Sequence, residues 1–145
     1  MKKILILGGS HRDIPLIKAS QDLGYFVITL GDRDSYIGHE YSNTSYKVNF
    51  NDLEKEKKII KAENVDFLLP GSGEKPYLNT VELSSHLGIG NFDVPEIAKL
   101  VHNKWLFKKF CLANNISTPK GFICKKEIKK NNWENEIKQL IKNAM

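Results

Sequence analysis

Short, continuously apolar runs, each cut off by glycine and polar residues, alternate over residues 1 to 90 with stretches whose apolar positions recur at helical spacing. Ile4-Leu5-Ile6-Leu7 has no polar alternation, which predicts a parallel strand covered on both faces. Leu16, Ala19, Ser20 and Leu23 predict a helix that Gly24 ends. Phe26-Val27-Ile28-Thr29-Leu30 reads as a second strand running into the polar loop Gly31-Asp32-Arg33-Asp34, and Tyr46-Lys47-Val48 as a weaker third. Asp52 is an N-cap candidate for a charged helix through Ala62, with Leu53, Ile59 and Ile60 on its apolar face. Val65 to Pro70 returns to the sheet, a helix with Leu78, Val81 and Ser85 on one side follows, and Leu87-Gly88-Ile89-Gly90 predicts a short last strand. Alternating strands and helices imply right-handed crossovers, hence an α/β fold with an open parallel sheet and helices on both faces.

From about Asn91 the pattern changes. A helix is predicted near Pro95 to Leu100 and a more apolar one from Lys104 to Ala113, after which Ser117-Thr118-Pro119 forces extended backbone. Gly121-Phe122-Ile123-Cys124 reads as one strand, and Trp133, Ile137, Leu140 and Ile141 trace a helix with an apolar stripe that residues 1 to 90 do not need. The partner of that stripe is expected in a missing segment or in another chain, a second copy in a homodimer included.

The length of 145 residues suits one α/β domain plus a fragment of another. The net charge of +5 changes meaning once located: residues 120 to 145 hold seven Lys and three Glu, so the rest of the chain is almost neutral. Lys125, Lys126, Lys129 and Lys130 read as a solvated turn, and without interleaved aromatic residues no nucleic-acid partner is expected. Cys111 and Cys124 are the only cysteines and lack CxxC spacing, so neither a disulfide framework nor a zinc or other metal site is indicated, and a reducing, cytoplasmic setting is expected. The polar run Gly8 to Asp13 stops the first apolar stretch well short of membrane-span length, so no membrane partner is expected.

Ligands of open parallel sheets bind outside the carboxyl ends of the strands, where strand order reverses. Three loops qualify: Gly8-Gly9-Ser10-His11, Gly31-Asp32-Arg33-Asp34 and Gly71-Ser72-Gly73-Glu74. The small residues Gly8, Gly9 and Ser10 would let backbone N–H groups face an anion or polar ligand. They do not form GxGxxG, so a dinucleotide site with Asp32 on ribose hydroxyls is the weaker reading and a glycine turn serving another ligand, or packing, the stronger. Glu74 opens a helix, where the macrodipole favours a carboxylate whatever its use; as a ligand group it would accept hydrogen bonds from an amine or hydroxyl. His11 reads as a loop residue. Lys104 also opens a helix, where the dipole disfavours it, so it is either a solvated lysine or the partner of a phosphate.

These pieces resemble the N-terminal region of the ATP-grasp ligases, the group of carbamoyl-phosphate synthetase large subunits, biotin carboxylases and purine-pathway carboxylate ligases. The carriers are Ile-Leu-Ile-Leu-Gly-Gly-Ser at the start, Leu-Gly-Tyr-Phe-Val after the first helix, and Pro-Gly-Ser-Gly-Glu before the third. Asn-Lys-Trp-Leu-Phe-Lys-Lys-Phe and Ile-Ser-Thr-Pro-Lys-Gly-Phe complete the series, and their order and spacing extend over essentially the whole chain.

The resemblance implies a Rossmann-like pre-ATP-grasp domain over 1–95, linker helices over 96–118 and the start of an incomplete ATP-grasp domain over 119–145. It implies a parent in which ATP, with Mg2+, activates a carboxylate as an acyl phosphate for attack by an amine or similar nucleophile. Lys104 then corresponds to the basic residue reaching the nucleotide, Glu74 to a substrate-contacting glutamate, and Gly8, Gly9 and Ser10 to the substrate-side loop, with Asp32 and Gly73 beside it. No catalytic residue is assigned, because the family's second ATP lysine, flap and metal-binding Glu and Asn would lie further on. The chain alone is therefore expected to be inactive, with the missing domain in cis or in a partner subunit of a split ligase. The alternative is a free-standing module that binds a nucleotide or small acid.

Overall fold

The computed structural model describes residues 1–120 and 133–144, which form two compact units, Met1–Lys99 and Leu100–Met145. In the first unit, β1 (Lys3–Leu7), β2 (Phe26–Gly31), β3 (Thr44–Lys47) and β4 (Phe67–Pro70) form one sheet in the order β3-β2-β1-β4, every pair parallel. The chain moves from β1 through β2 to β3, then returns to the other side of β1 for β4. Strand order therefore reverses between β1 and β4.

The apolar run of β1 divides its side chains between two cores. Leu5 and Leu7 join Ile28, Leu30, Leu68, Ile60 of α2 (Leu53–Ala62) and Leu83 of α3 (Glu74–Leu87) on one face. Ile4 and Ile6 join Val27 and Ile17 of α1 (Ile14–Asp22) on the other. Both faces are thus covered, which is why the strand needs no polar alternation.

Each helix has a local reason for its ends. Asp52 Oδ1 accepts a hydrogen bond from the Lys55 N–H at 3.1 Å and caps α2 as expected. Gly24, with φ of +82°, makes the turn after α1. Within α1, however, the helix faces the sheet through Ile17 and Ser20, while Ala19 is exposed and Leu23 is 76% exposed at the C-cap. In α3 the buried residues are Pro76, Asn79, Thr80, Val81, Leu83 and Ser84, and Ser85 is exposed. The predicted strand at Leu87 to Gly90 does not form. Gly88 caps α3 at φ +65° and Gly90 turns again at φ +92°, so the Leu87 and Ile89 alternation serves to cover the core rather than to pair. The third strand begins earlier than expected, at Thr44, although Val48 N–H still pairs with Gly31 O at 2.8 Å.

Pro95 opens α4 (Pro95–His102), which buries Ala98. In the second unit, Asn103 Oδ1 accepts from the N–H groups of Trp105 and Leu106 and caps α5 (Lys104–Ala113). The helix ends where Asn115 turns through φ +55° and Ile116 N–H reaches Cys111 O at 2.8 Å. The predicted helix near the end of the chain is α6 (Trp133–Ala144), with Ile137 half-buried and Ile141 exposed. The expected strand Gly121 to Cys124 and the basic turn of Lys125, Lys126, Lys129 and Lys130 lie outside the described residues. Among the described residues no helix is long and apolar enough to cross a membrane.

Candidate functional site

Two of the three anticipated loops meet where strand order reverses. Gly8 N–H bonds to Leu30 O and Gly71 N–H to Leu7 O, both at 2.7 Å, so the pairing of the sheet continues into the turns after β1 and β4. The approach is close enough that a Cβ on Gly71 would lie 2.4 Å from Leu7 O, shorter than any real contact. Gly9, at φ +124°, packs flat against the His39 ring.

Asp13 joins the two turns. It ends a single 3-10 turn (His11–Asp13) before α1, and its carboxylate is 3% exposed. Oδ2 accepts from Gly9 N–H at 2.9 Å, Ser10 N–H at 2.8 Å and Ser10 Oγ at 2.9 Å, while Oδ1 accepts from Ser72 N–H at 2.7 Å. Burial alone would raise the acid's pKa. The backbone donors of Gly9 and Ser72, with both Ser10 groups, outweigh it and hold the carboxyl below its ordinary value. The amides of Gly9 and Ser10, anticipated as donors to a ligand, are therefore taken by the chain's own carboxylate.

Above this junction opens a cavity of about 390 Å³. Its polar lining comes from Ser10, His11 and Arg12 on the first turn, Ser35 and Tyr36 after β2, and Ser72 after β4. Ile37, Phe50 and Pro76 supply an apolar wall. The hydrogen bond to Asp32, followed by burial, raises the Tyr36 phenol above its usual value. Asp32 Oδ1 is buried without a hydrogen-bond partner.

A second polar cluster fixes the segment that carries Tyr36. His39, on the 3-10 turn Ile37–Tyr41, has Nδ1 2.8 Å from Thr29 Oγ1, which also lies 2.8 Å from Ser42 Oγ. Burial lowers the His39 pKa, so the ring is neutral at ordinary pH.

Of the residues anticipated from sequence, Gly8, Ser10 and Gly73 line this one cavity and Gly9 lies buried beneath it. Asp32 is not part of the lining. Glu74 is exposed at the start of α3 and is not part of the lining, and Lys104 is exposed at the start of α5 in the second unit. His11 faces the cavity. Asp13, Tyr36 and Phe50 were not anticipated, although Ser10 and Asp13 stand at capping-box spacing, a signal that marked the turn. Among the described residues no three His, Cys, Asp or Glu side chains gather as a metal ion would require.

No protein-family model and no curated protein matches this sequence. Solved structures do match its fold. The chain superposes on phosphoribosylglycinamide synthetase from Anaerococcus prevotii with a TM-score of 0.71 at 18% identity, covering 99% of this chain and 35% of that one. N5-carboxyaminoimidazole ribonucleotide synthetase from Thermotoga maritima gives 0.65 at 20% identity, covering 92% and 36%. The biotin carboxylase domain of a thermophilic 2-oxoglutarate carboxylase, bound to ADP, gives 0.64 at 17% identity, covering 99% and 33%. The chain thus spans about a third of the length of each of these three structures. At these identities the likeness is one of fold: a parallel four-stranded sheet with helices, as in the N-terminal domain of ATP-grasp enzymes.

Proposed function

We propose that the Met1–Lys99 unit is the substrate-side domain of an ATP-grasp ligase, in which ATP activates a carboxylate for attack by an amine or similar nucleophile. The observation that carries this reading is the cavity at the switch point, walled by the turns after β1 and β4. The fold neighbours support a ligase parent in general. The carbamoyl-phosphate-synthetase-like type suggested by the sequence is a finer proposal, as are a cytoplasmic setting and an ATP-grasp domain supplied in cis or by a partner subunit.

The chain's own groups suit binding and orientation. Arg12 offers a fixed positive charge to an anionic group, and the hydroxyls of Ser10, Ser35 and Ser72 offer hydrogen bonds to its polar atoms. Ile37, Phe50 and Pro76 exclude water from one side of the ligand. Lys104 is proposed to meet the nucleotide phosphates, which would offset its unfavourable position at a helix start. Among the described residues no three His, Cys, Asp or Glu side chains gather to hold the Mg2+ that such a reaction would use. The engagement of the Gly9 and Ser10 amides by Asp13 weighs against the alternative of a phosphate-cradling dinucleotide module.

The test is ADP release by the protein purified from its source cells, with panels of carboxylates and amines. Release that requires one of each is expected, and Arg12→Ala should raise KM for the cavity substrate about tenfold, the loss of one charge-assisted hydrogen bond. ADP release that ignores both panels, or an Arg12→Ala enzyme with unchanged KM, would overturn the reading.

A further inference from the structure

A glycine turn at the end of a parallel strand ordinarily leaves backbone N–H groups free for an anionic ligand. Here the turn carries its own anion. Three amides and one hydroxyl converge on a single side chain within 2.7 to 2.9 Å, and they come from two loops, one of which reaches Asp13 through Ser72, 59 residues away in sequence. The fit is tight on the far side as well, since a Cβ on Gly8 would lie 2.7 Å from Asp13 Oδ2.

We propose that Asp13 is the positioning residue of the cleft: its carboxylate latches the turn after β1 to the turn after β4 and excludes ligand phosphate from the glycine turn. Two consequences follow from the geometry. The cavity mouth is set before any ligand arrives, because Ser10 and Ser72, one on each side, both hydrogen-bond to the same carboxylate. A bound anion must then be recognised by side chains of the lining, Arg12 and the serine hydroxyls, rather than by the turn's amides. The consequence for binding rests on the cavity being a substrate site; the latch itself does not.

Amide resonances of the 15N-labelled chain test the latch without any substrate. On acidification of the wild type, the Gly9, Ser10 and Ser72 amides should move together with one midpoint below the ordinary aspartate value. Tyr36 and His39, from the segment after β2, also feel the Asp13 charge; the phenol titrates well above this acid range, and the His39 ring, whose pKa burial lowers, is followed by its own ring resonances so that its titration is told apart from that of Asp13. Separate midpoints for the three amides would overturn the proposal.

Inorganic phosphate supplies the second test. In Asp13→Ala the same three amides should shift saturably with phosphate, which takes the vacated donors, while in the wild type they stay still. Equal shifts in both proteins would overturn the latch. Should the alanine variant not fold, Asp13→Asn keeps the size and one acceptor oxygen, and part of the amide shift seen on acidification should be present in it at neutral pH; wild-type amide positions in that variant would contradict the proposal. A panel of carboxylates and amines that leaves the Tyr36 and Phe50 resonances unmoved removes the proposed function but not the latch.

Discussion

Two carboxylates are sealed into the same sheet domain and respond to burial in opposite ways. Asp13, beneath the cavity, has four donors from two loops and is held below its ordinary pKa. Glu56 lies between α2 and α3, fully buried, where Asn79 Nδ2 bonds to both of its oxygens at 3.0 and 2.9 Å. Burial there outweighs the Asn79 bond and the nearby Lys75 and, with Asp52 adding its charge, raises the acid to about 7. Losing water costs either carboxylate several hydrogen bonds, and the number of protein donors that replace them decides the sign. The cleft therefore keeps a permanent anion, and the helix interface holds a group that is about half ionised near pH 7. The two regions also touch through one residue, because Asn79 Nδ2 donates to Phe50 O at 2.7 Å and Phe50 lines the cavity.

Breaking the first half of this contrast should cost the most stability. Asp13→Ala leaves three amides without an acceptor and should cost about 3 kcal/mol in urea denaturation, Asp13→Asn clearly less. Gly71→Ala attacks the same junction while keeping the carboxylate, although its Cβ would also lie 3.1 Å from Asp13 Oδ1. Its Cβ would meet Leu7 O, and a loss of about 2 kcal/mol is expected. In that variant Asp13 should titrate closer to its ordinary value, because Ser72 is pushed away.

The second half reads out through pH. Asp13 has a lowered folded pKa, so the stability it contributes is present above the unfolded value of 3.8 and is lost as pH falls through the folded value. Glu56 has the opposite sign. Its folded value of about 7 lies above the unfolded 4.5, so its contribution is full below 4.5 and is lost as pH rises through 7. Glu56→Gln should remove that decline and add about 3 kcal/mol at pH 8 while changing little at pH 4, measured by thermal or urea unfolding. Lys104→Ala, on an exposed helix start in the other unit, should change stability by less than about 0.5 kcal/mol and leave both titrations alone. In a ligase of the kind proposed above, the same substitution should weaken nucleotide binding, measured by the KM for ATP.

Strands β1, β2 and β4 were legible because they are short apolar runs that end at glycine-containing turns, both local signals, whereas β3, Thr44–Lys47, is not apolar and its start was missed. Leu87 and Ile89 misled because such signals are local: alternation over four residues does not distinguish a strand from a chain crossing over a core, and two left-handed glycines decided it. The loops of the cavity could be placed because they follow strands. Tyr36 and Phe50 could not, since they reach the cavity from long connections whose path no periodicity records.

The two carboxylates were the least legible. Glu56 sits in the run Glu54-Lys55-Glu56-Lys57-Lys58, which has the texture of a solvated face, and its burial depends on Asn79, 23 residues on. Asp13 is marked as part of a capping box by its spacing from Ser10, but its second oxygen is used by Ser72, which only the return of β4 beside β1 brings near.

One titration tests the contrast directly: side-chain carboxyl 13C shifts of Asp13 and Glu56, followed from acid to pH 9 in a single sample of the labelled chain. Asp13 should titrate below 3.8 and Glu56 near 7. An Asp13 midpoint at or above 3.8, or a Glu56 midpoint at the ordinary 4.5, would contradict the assignment of a fixed anion to the cleft and an acid of raised pKa to the helix interface.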